Sequence, residues 1–196
     1  MKKILYTLLA VSLIFSACEE DTPLPAPNNN NNNNNSALAI GDTHQGGIIF
    51  YLDGNGRGFI VAPSDQSDHS DFGCWNDEIV ENFGTAIGTG AQNTIYINEA
   101  ECNDFSSRAA DFCTNASIGG YNDWFLPSKD ELNLMYQNVG QGNLLGLGNI
   151  GQFNSDGYWS SSQISALWAW KQDFTNGNRN TETKAGGLCV RAIRAF

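Results

Sequence analysis

Two adjacent carboxylates, Asp130 and Glu131, lie in the segment Gly120–Tyr136, and pairs of carboxylates are the groups that hydrolyse glycosidic bonds. The surrounding sequence predicts a different role for Glu131. Ser128 and Glu131 have the spacing of a capping box, in which each residue accepts a hydrogen bond from the other's backbone amide. Neighbouring side chains on a helix point in different directions and cannot flank one substrate bond. We therefore interpret this segment as structural scaffold.

Other candidates for catalysis or metal binding are few. His44 and His69 have no evident partner, and the chain contains neither a G-x-S-x-G motif nor a CxxC pair. The turn at Asp53 mimics the first half of an EF-hand loop, but the twelfth position is Ser64 instead of a glutamate. A following run of aspartates is expected to be a solvated loop: Asp65, Asp68 and Asp71. We therefore predict no enzyme activity, no metal site and no cofactor.

The elements that carry these residues follow from hydrophobic periodicity and turn signals. Two apolar runs, 47–53 and 58–62, flank a glycine-rich turn and predict a hairpin. The Ser128 cap begins one helix, preceded by Pro127, with an apolar face of Leu132, Met135, Tyr136 and Val139. A second helix is predicted over Asn103–Cys113, with one face formed by Phe105, Ala109, Phe112 and Cys113.

The last third of the sequence is rich in β-strand signals and provides the candidate ligand-binding residues. Tyr158–Ser162 predicts a strand, Trp168–Phe174 alternates aromatic with polar residues, and Asn176-Gly177 predicts a tight turn into a returning strand. Asparagine and arginine pair with sugar hydroxyls or sulfates, and an aromatic ring stacks on a sugar. The candidate site is Trp168, Lys171, Asn176, Asn178, Arg179, Asn180 and Lys184. The alternative is that the asparagines only form the turn and the cations are solvated strand residues.

The cysteines divide into one N-terminal residue and a group of four. The chain has five cysteines, and Cys18 lies apart from the others, next to low-complexity sequence. The four that remain suggest disulfides. Three pairings are possible, and we favour Cys74–Cys102 together with Cys113–Cys189, each of which closes a long loop. The second pair would join the buried face of the predicted helix to a core strand.

The N-terminal residues predict membrane anchoring. Residues 1–17 have two lysines followed by an apolar run of secretory-signal length, and Phe15-Ser16-Ala17-Cys18 resembles a lipobox, which predicts lipidation of Cys18. Residues 18–35 are acidic, then proline-rich, then pure asparagine, so we expect a flexible tether. The folded domain is expected over 36–196, displayed on the outer membrane facing the exterior.

The formal net charge of −11 argues against nucleic acid as a partner. The cations are unevenly placed, and five of them follow residue 170, which predicts a locally positive C-terminal end on an acidic body. These five are Lys171, Arg179, Lys184, Arg191 and Arg194.

Several motifs now coincide, and together they resemble the Lcl C-terminal domain family, which is named for a collagen-like bacterial adhesin. The motifs occur in this order: Gly88–Thr94, Gly120–Leu132, Tyr158–Ser161, Ala169–Gly177 and Val190–Phe196. The resemblance covers Gly41–Phe196. It implies an α+β, C-type-lectin-like fold, in which two helices flank a small, mainly antiparallel sheet and the N- and C-terminal strands are adjacent. The helix-to-last-strand disulfide of that fold would fall on Cys113 and Cys189.

The resemblance also implies a function. Family members sit on cell surfaces, and the founding adhesin binds sulfated polysaccharides as a trimer. We therefore expect a surface-tethered adhesion module that recognises a glycan or a cell-surface protein without catalysis, and that forms a homotrimer. Trp75-Asn76-Asp77 spells the WND motif of calcium-dependent lectins. It precedes the first predicted helix and lacks the accompanying EPN or QPD loop, so we interpret it as coincidence.

Two alternatives stay open. The segment Trp124–Glu131 is similar to a stretch of the formylglycine-generating oxidases, which share this broad fold. Those enzymes need a reactive cysteine pair near the C-terminus, where this chain has only Cys189. The other alternative is a structural or assembly role at the cell surface.

Overall fold

Two sheets and three helices form the part of the chain that the computed structural model describes, residues 37–79, 81–102 and 108–196. The predicted signal sequence, Cys18 and the tether lie outside these residues. In chain order the elements are β1 Thr43–His44, β2 Gly47–Leu52, β3 Gly58–Val61, β4 Ser67–Ser70, α1 Gly90–Glu99, α2 Ala109–Thr114, α3 Lys129–Val139, β5 Gly157–Gln163, β6 Trp168–Asp173, β7 Arg179–Thr183, β8 Leu188–Val190 and β9 Ile193–Ala195. The mixed, mostly antiparallel architecture agrees with the predicted α+β class, with two sheets where one was expected.

The first sheet has the strand order β1-β2-β3-β9. The predicted hairpin is confirmed: β2 and β3 pair antiparallel, and Gly54 and Gly56 in their turn have φ angles of 79° and 84°, which favour glycine. Strand β9 pairs with β3 through Val61 and Ile193. The C-terminal strand therefore shares a sheet with the N-terminal hairpin.

The second sheet has the order β4-β8-β5-β6-β7. All of its neighbouring strands pair antiparallel except β5 and β8, which run parallel where Tyr158 lies opposite Cys189. Strand β7 is an edge strand, so the β6–β7 hairpin lies at the margin of this sheet. The predicted strands in this region are confirmed.

Helix α3 confirms the capping box. Ser128 Oγ accepts from the Glu131 amide at 3.4 Å, and Glu131 Oε2 accepts from the Ser128 amide at 2.7 Å. Glu131 is buried, and its Oε1 also accepts from the Gly88 amide at 2.7 Å. Desolvation by burial raises the pKa of Glu131, although these hydrogen bonds oppose the shift. The carboxylate thus joins the start of α3 to the loop before α1.

Helix α1 was not predicted from the sequence. Its buried face carries polar residues. The Asn93 side chain accepts from the Gly84 amide and donates to the Gly84 carbonyl, and Thr94 Oγ1 accepts from the Leu126 amide at 3.0 Å. A search for apolar periodicity cannot find such a helix, because its inward side chains hydrogen-bond to neighbouring loops. Helix α2 covers the end of the predicted 103–113 helix, and Ala109 and Cys113 are buried as predicted. Phe105 lies outside the described residues.

The described residues enclose two groups of buried apolar side chains. One group surrounds Trp124 and Trp159 and contains Cys113, Leu188 and Val190. The other lies between α3 and the sheets and contains these residues among others: Phe50, Met135, Tyr158, Phe174 and Cys189. None of the described helices has both the length and the apolar character needed to cross a membrane.

One of the two predicted disulfides is present. Cys74 and Cys102 are bonded, with their Cα atoms 5.4 Å apart. The Cys113–Cys189 prediction is wrong, because both cysteines are free and buried in the structure. Successive side chains of a strand point to opposite faces. Cys189 therefore points away from Leu188 and Val190, which pack in the same apolar group as Cys113.

Candidate ligand-binding surface

The β6–β7 hairpin carries six of the seven predicted site residues. Asn176 and Gly177 lie in its turn as predicted, but the turn spans residues 174–178 and is wider than a two-residue hairpin turn. The Gly177 amide donates to the Asp173 carbonyl at 2.7 Å, and Gly177 has a φ angle of 79°. A Cβ atom at Gly177 would lie 2.5 Å from a Tyr136 ring carbon. The turn therefore packs closely against α3 and fixes the hairpin beside that helix.

The register of the hairpin divides the predicted site between two faces. Residues that lie opposite each other in an antiparallel pair share a face of the sheet. Trp170 lies opposite Thr181 and Gln172 opposite Arg179, whereas Lys171 lies opposite Asn180. Trp168 and Arg179 are thus on one face, and Lys171 and Asn180 are on the other, so the predicted residues do not form a single surface.

The face with Trp168 is completed by the first turn of α3. Lys129 Nζ lies 4.4 Å from the centre of the Trp170 ring, and Arg179 Nη1 lies 3.4 Å from Asp130 Oδ1. We call this surface the helix-side face and define it as Lys129, Asp130, Trp168, Trp170, Arg179 and Thr181. Trp170 is half-buried, and Trp168 keeps 42% of its surface exposed. Sequence reasoning missed Lys129 and Asp130, because only the packing of α3 brings them to the hairpin.

The opposite face contains an ion pair. Lys171 Nζ lies 2.9 Å from Glu182 Oε2, and this hydrogen bond holds the pKa of the Glu182 carboxyl below its usual range. Asn180 is exposed beside the pair. Lys171 is therefore engaged within the hairpin.

The two turn asparagines support the turn itself. Asn176 Nδ2 donates to Asp173 Oδ2 at 3.1 Å, and Asn176 Oδ1 accepts from the Asn178 amide at 2.9 Å. Both asparagines are exposed. The side chain of Asn176 and the backbone of Asn178 thus make the contacts of turn residues, as the alternative interpretation of the sequence stated.

Lys184 is not on the ligand-binding surface, which corrects the sequence prediction. It is fully buried, and its ammonium group donates to the Asp77 carbonyl at 2.9 Å and to the Cys74 carbonyl at 3.4 Å. Buried lysines are tolerated only when such partners replace water. Lys184 therefore fixes the loop of residues 74–77 against the end of β7.

Two more of the five C-terminal cations are also withdrawn from the surface. Arg191 is buried with Asp65, and Arg194 pairs with Asp123 and stacks over the Tyr121 ring at 3.8 Å. The Arg194 hydrogen bond holds the pKa of Asp123 below its usual range. Within residues 37–79, 81–102 and 108–196 there is no group of three or more histidine, cysteine or acidic residues arranged to hold a metal ion.

Comparison with known families identifies the family of this chain. The sequence profile of the Lcl C-terminal domain matches residues 71–194, which is more than half of the chain. The chain belongs to the Lcl C-terminal domain family. The match includes all three helices and the β6–β7 hairpin, whereas β1 to β4 precede it. A search of curated proteins finds no match to this Lcl C-terminal domain protein.

Proposed function

We propose that this protein is an adhesin-like module of the cell surface that binds a glycan on the helix-side face without catalysis. Membership of the Lcl C-terminal domain family supports a surface-associated, adhesin-like role. In this proposal the lipid on Cys18 holds the domain at the outer membrane and the tether extends it outward. A C-type-lectin-like fold is part of the proposal, and it is supported by helices packed on sheets and by the C-terminal strand that joins the N-terminal hairpin.

The observation that carries the proposal is the exposed Trp168 beside Trp170. The two rings are two residues apart on one face of β6, so their attachment points are about 6.6 Å apart at a rise of about 3.3 Å per residue. Adjacent aromatic rings at this spacing offer a platform for the apolar face of a sugar ring. The Trp168 side chain loses little conformational freedom when a ligand binds, because part of the ring already packs against the protein while the rest faces water.

Polar groups on both sides of this platform suit sugar hydroxyls. Arg179 and Asp130 form a half-exposed ion pair, and pairs of this kind contribute little to stability. Both groups can therefore turn to a ligand at small cost: Asp130 accepts hydrogen bonds from hydroxyls, and Arg179 donates to them. Thr181 adds a hydroxyl on the same face.

The positions of the buried acid and thiols support a role in binding rather than catalysis. Glu131 is engaged by the Ser128 and Gly88 amides, so it does not form an acid pair with Asp130. Cys113 and Cys189 lie in different apolar groups, and burial raises the pKa of both thiols, for Cys189 to about 11. A low-pKa cysteine pair of the oxidase type would need the opposite environment.

The test is a glycan-array screen followed by affinity measurement for the glycan with the strongest signal. We expect Trp168→Ala to weaken binding by about five- to twelvefold, since losing a stacked ring costs roughly 1–1.5 kcal/mol. Arg179→Ala should weaken it less. Asn180→Ala is the matched control, because Asn180 follows Arg179 in β7 and is exposed on the opposite face of the hairpin. Unchanged binding by Trp168→Ala, or an equal loss with Asn180→Ala, would refute the proposed site.

A further inference from the structure

A second exposed surface lies where the loop after Cys74 meets the β5–β6 turn. The Asn76 amide donates to the Ala166 carbonyl at 3.1 Å, which holds the two segments together. Three large apolar side chains project from them: Trp75 is 57% exposed, Ile164 46% and Leu167 39%. We call these three residues the loop patch. Apolar clusters of this kind on a folded surface mark interaction sites.

Buried hydrogen bonds and a disulfide fix the backbone that carries the loop patch. The buried Lys184 ammonium binds two carbonyl groups of the loop, and the Cys74–Cys102 disulfide fixes the start of that loop. Gln163 Nε2 donates to the Ile79 carbonyl at 2.8 Å and so links the end of β5 to the residues that follow the loop. Because the backbone is already ordered, little conformational entropy is lost when a partner binds.

An acidic cavity of about 310 Å³ begins at Asp77, two residues after Trp75. Ile79 and Ala100 form apolar parts of its wall. Five carboxylates line it, and none of them has an ion-pair partner among the described residues: Asp77, Glu78, Glu81, Glu99 and Glu101. Two cations donate to backbone carbonyls in and beside its wall: Arg108 to Ile97 and Ala100, and Lys184 to Asp77 and Cys74. With five carboxylates against these two cations, the described wall of the cavity is net negative.

We propose that the loop patch and the acidic cavity together bind a cationic, amphipathic polypeptide segment of a partner protein. Aromatic or aliphatic side chains of the segment cover Trp75 and Leu167, while its lysines or arginines enter the cavity. Charge complementarity selects this class of partner. Sulfated glycans and anionic lipid surfaces would be repelled by the five carboxylates. A second copy of this chain is also disfavoured, because its net charge is −11 and three of its C-terminal cations are buried.

The experiment uses fluorescence anisotropy with a labelled peptide of about twelve residues that alternates lysine and leucine around a central tryptophan. One comparison peptide replaces lysine with glutamate, and another replaces the apolar residues with glycine. We expect only the first peptide to bind well, with an affinity that falls as salt is added. Trp75→Ser should weaken this binding about tenfold, and Glu99→Gln with Glu101→Gln should weaken it several-fold and reduce its salt dependence.

Two controls separate a specific site from general attraction to an acidic protein. Asp68→Asn with Asp71→Asn removes the same charge from a region outside the cavity, and it should leave binding unchanged. Asn180→Ala should also leave it unchanged. The proposal is overturned if the glycine peptide binds as tightly, if the Asp68/Asp71 variant loses as much affinity as the Glu99/Glu101 variant, or if no peptide binds. None of these results bears on glycan binding at the helix-side face.

Discussion

Replacing Arg191 by methionine tests whether its buried ion pair organises the C-terminal part of the domain. Arg191 is 1% exposed, and its Nε lies 2.5 Å from Asp65 Oδ1. Its Nη1 donates to the carbonyls of Ala62 and Gly151, each at 2.9 Å. The guanidinium also lies 4.5 Å from the centre of the Phe153 ring. One side chain therefore links β8, the end of β3 and the loop before β5.

The expected loss follows from the groups that the substitution leaves behind. Methionine fills similar volume but leaves the Asp65 carboxylate, among the described residues, with the Tyr158 hydroxyl at 2.9 Å and the Asn154 side-chain amide at 3.0 Å. Removing one partner of a buried pair costs about 3–5 kcal/mol. For a domain of this size that is a drop of about 6–20 °C in melting temperature. It is also a large fraction of a total stability of about 5–15 kcal/mol.

The assay is urea unfolding followed by tryptophan fluorescence, with Arg57→Met as the control. Arg57 pairs with Asp53 at 3.1 Å, but its side chain is 77% exposed, so its loss should leave the unfolding midpoint unchanged. The double variant Arg191→Met with Asp65→Asn should be less destabilised than the sum of the single variants, because no unpaired charge remains buried. A midpoint for Arg191→Met equal to that of Arg57→Met would refute this account of the pair.

Two further predictions concern buried titratable groups. Cys113 and Cys189 should resist thiol reagents at pH 8 in the folded protein and react in guanidinium, since burial raises the pKa of both thiols; mass-spectrometric mapping that found them joined would contradict the structure. Glu131→Gln should destabilise the protein by about 1–3 kcal/mol, because glutamine offers one acceptor where the Ser128 and Gly88 amides need two. The folded-state pKa of Glu131 is raised above 4.5, so its stabilising contribution is greatest below that pH and is lost as pH rises through the raised value. The deficit of Glu131→Gln should therefore shrink between pH 4 and pH 7 in paired urea titrations, and a deficit that grew with pH would show that the pKa shift has the other sign.

Local signals were sufficient for much of the fold. The capping box at Ser128 and Glu131, the glycine turn between β2 and β3 and the Asn-Gly turn at Gly177 each depend on contacts within a few residues, and all three are confirmed. Helix α1 depends on Asn93 and Thr94 bonding to segments distant in sequence, so no local pattern marks it.

The candidate site shows the same division between local and distant contacts. The strand pattern correctly placed Trp168 and Arg179 in the hairpin, but which residues share its surface is decided by α3, whose Lys129 and Asp130 are remote in the chain. Lys184 has the same polar sequence surroundings as its exposed neighbours. Only the loop of residues 74–77, folded over it, makes it a buried structural residue.

The burial of cations bears on which glycans the helix-side face can attract. Arg191, Arg194 and Lys184 are withdrawn from the surface, so the chain presents an acidic exterior with a net charge of −11. The two cations of the helix-side face are already engaged, Lys129 with the Trp170 ring and Arg179 with Asp130. A polysulfated chain would approach against the field of the whole protein and would bring its sulfates beside the Asp130 carboxylate. A neutral glycan meets neither obstacle, because stacking on Trp168 and hydrogen bonds from its hydroxyls need no net charge. The glycan proposed for this face is therefore a neutral one, whose affinity should change little with salt.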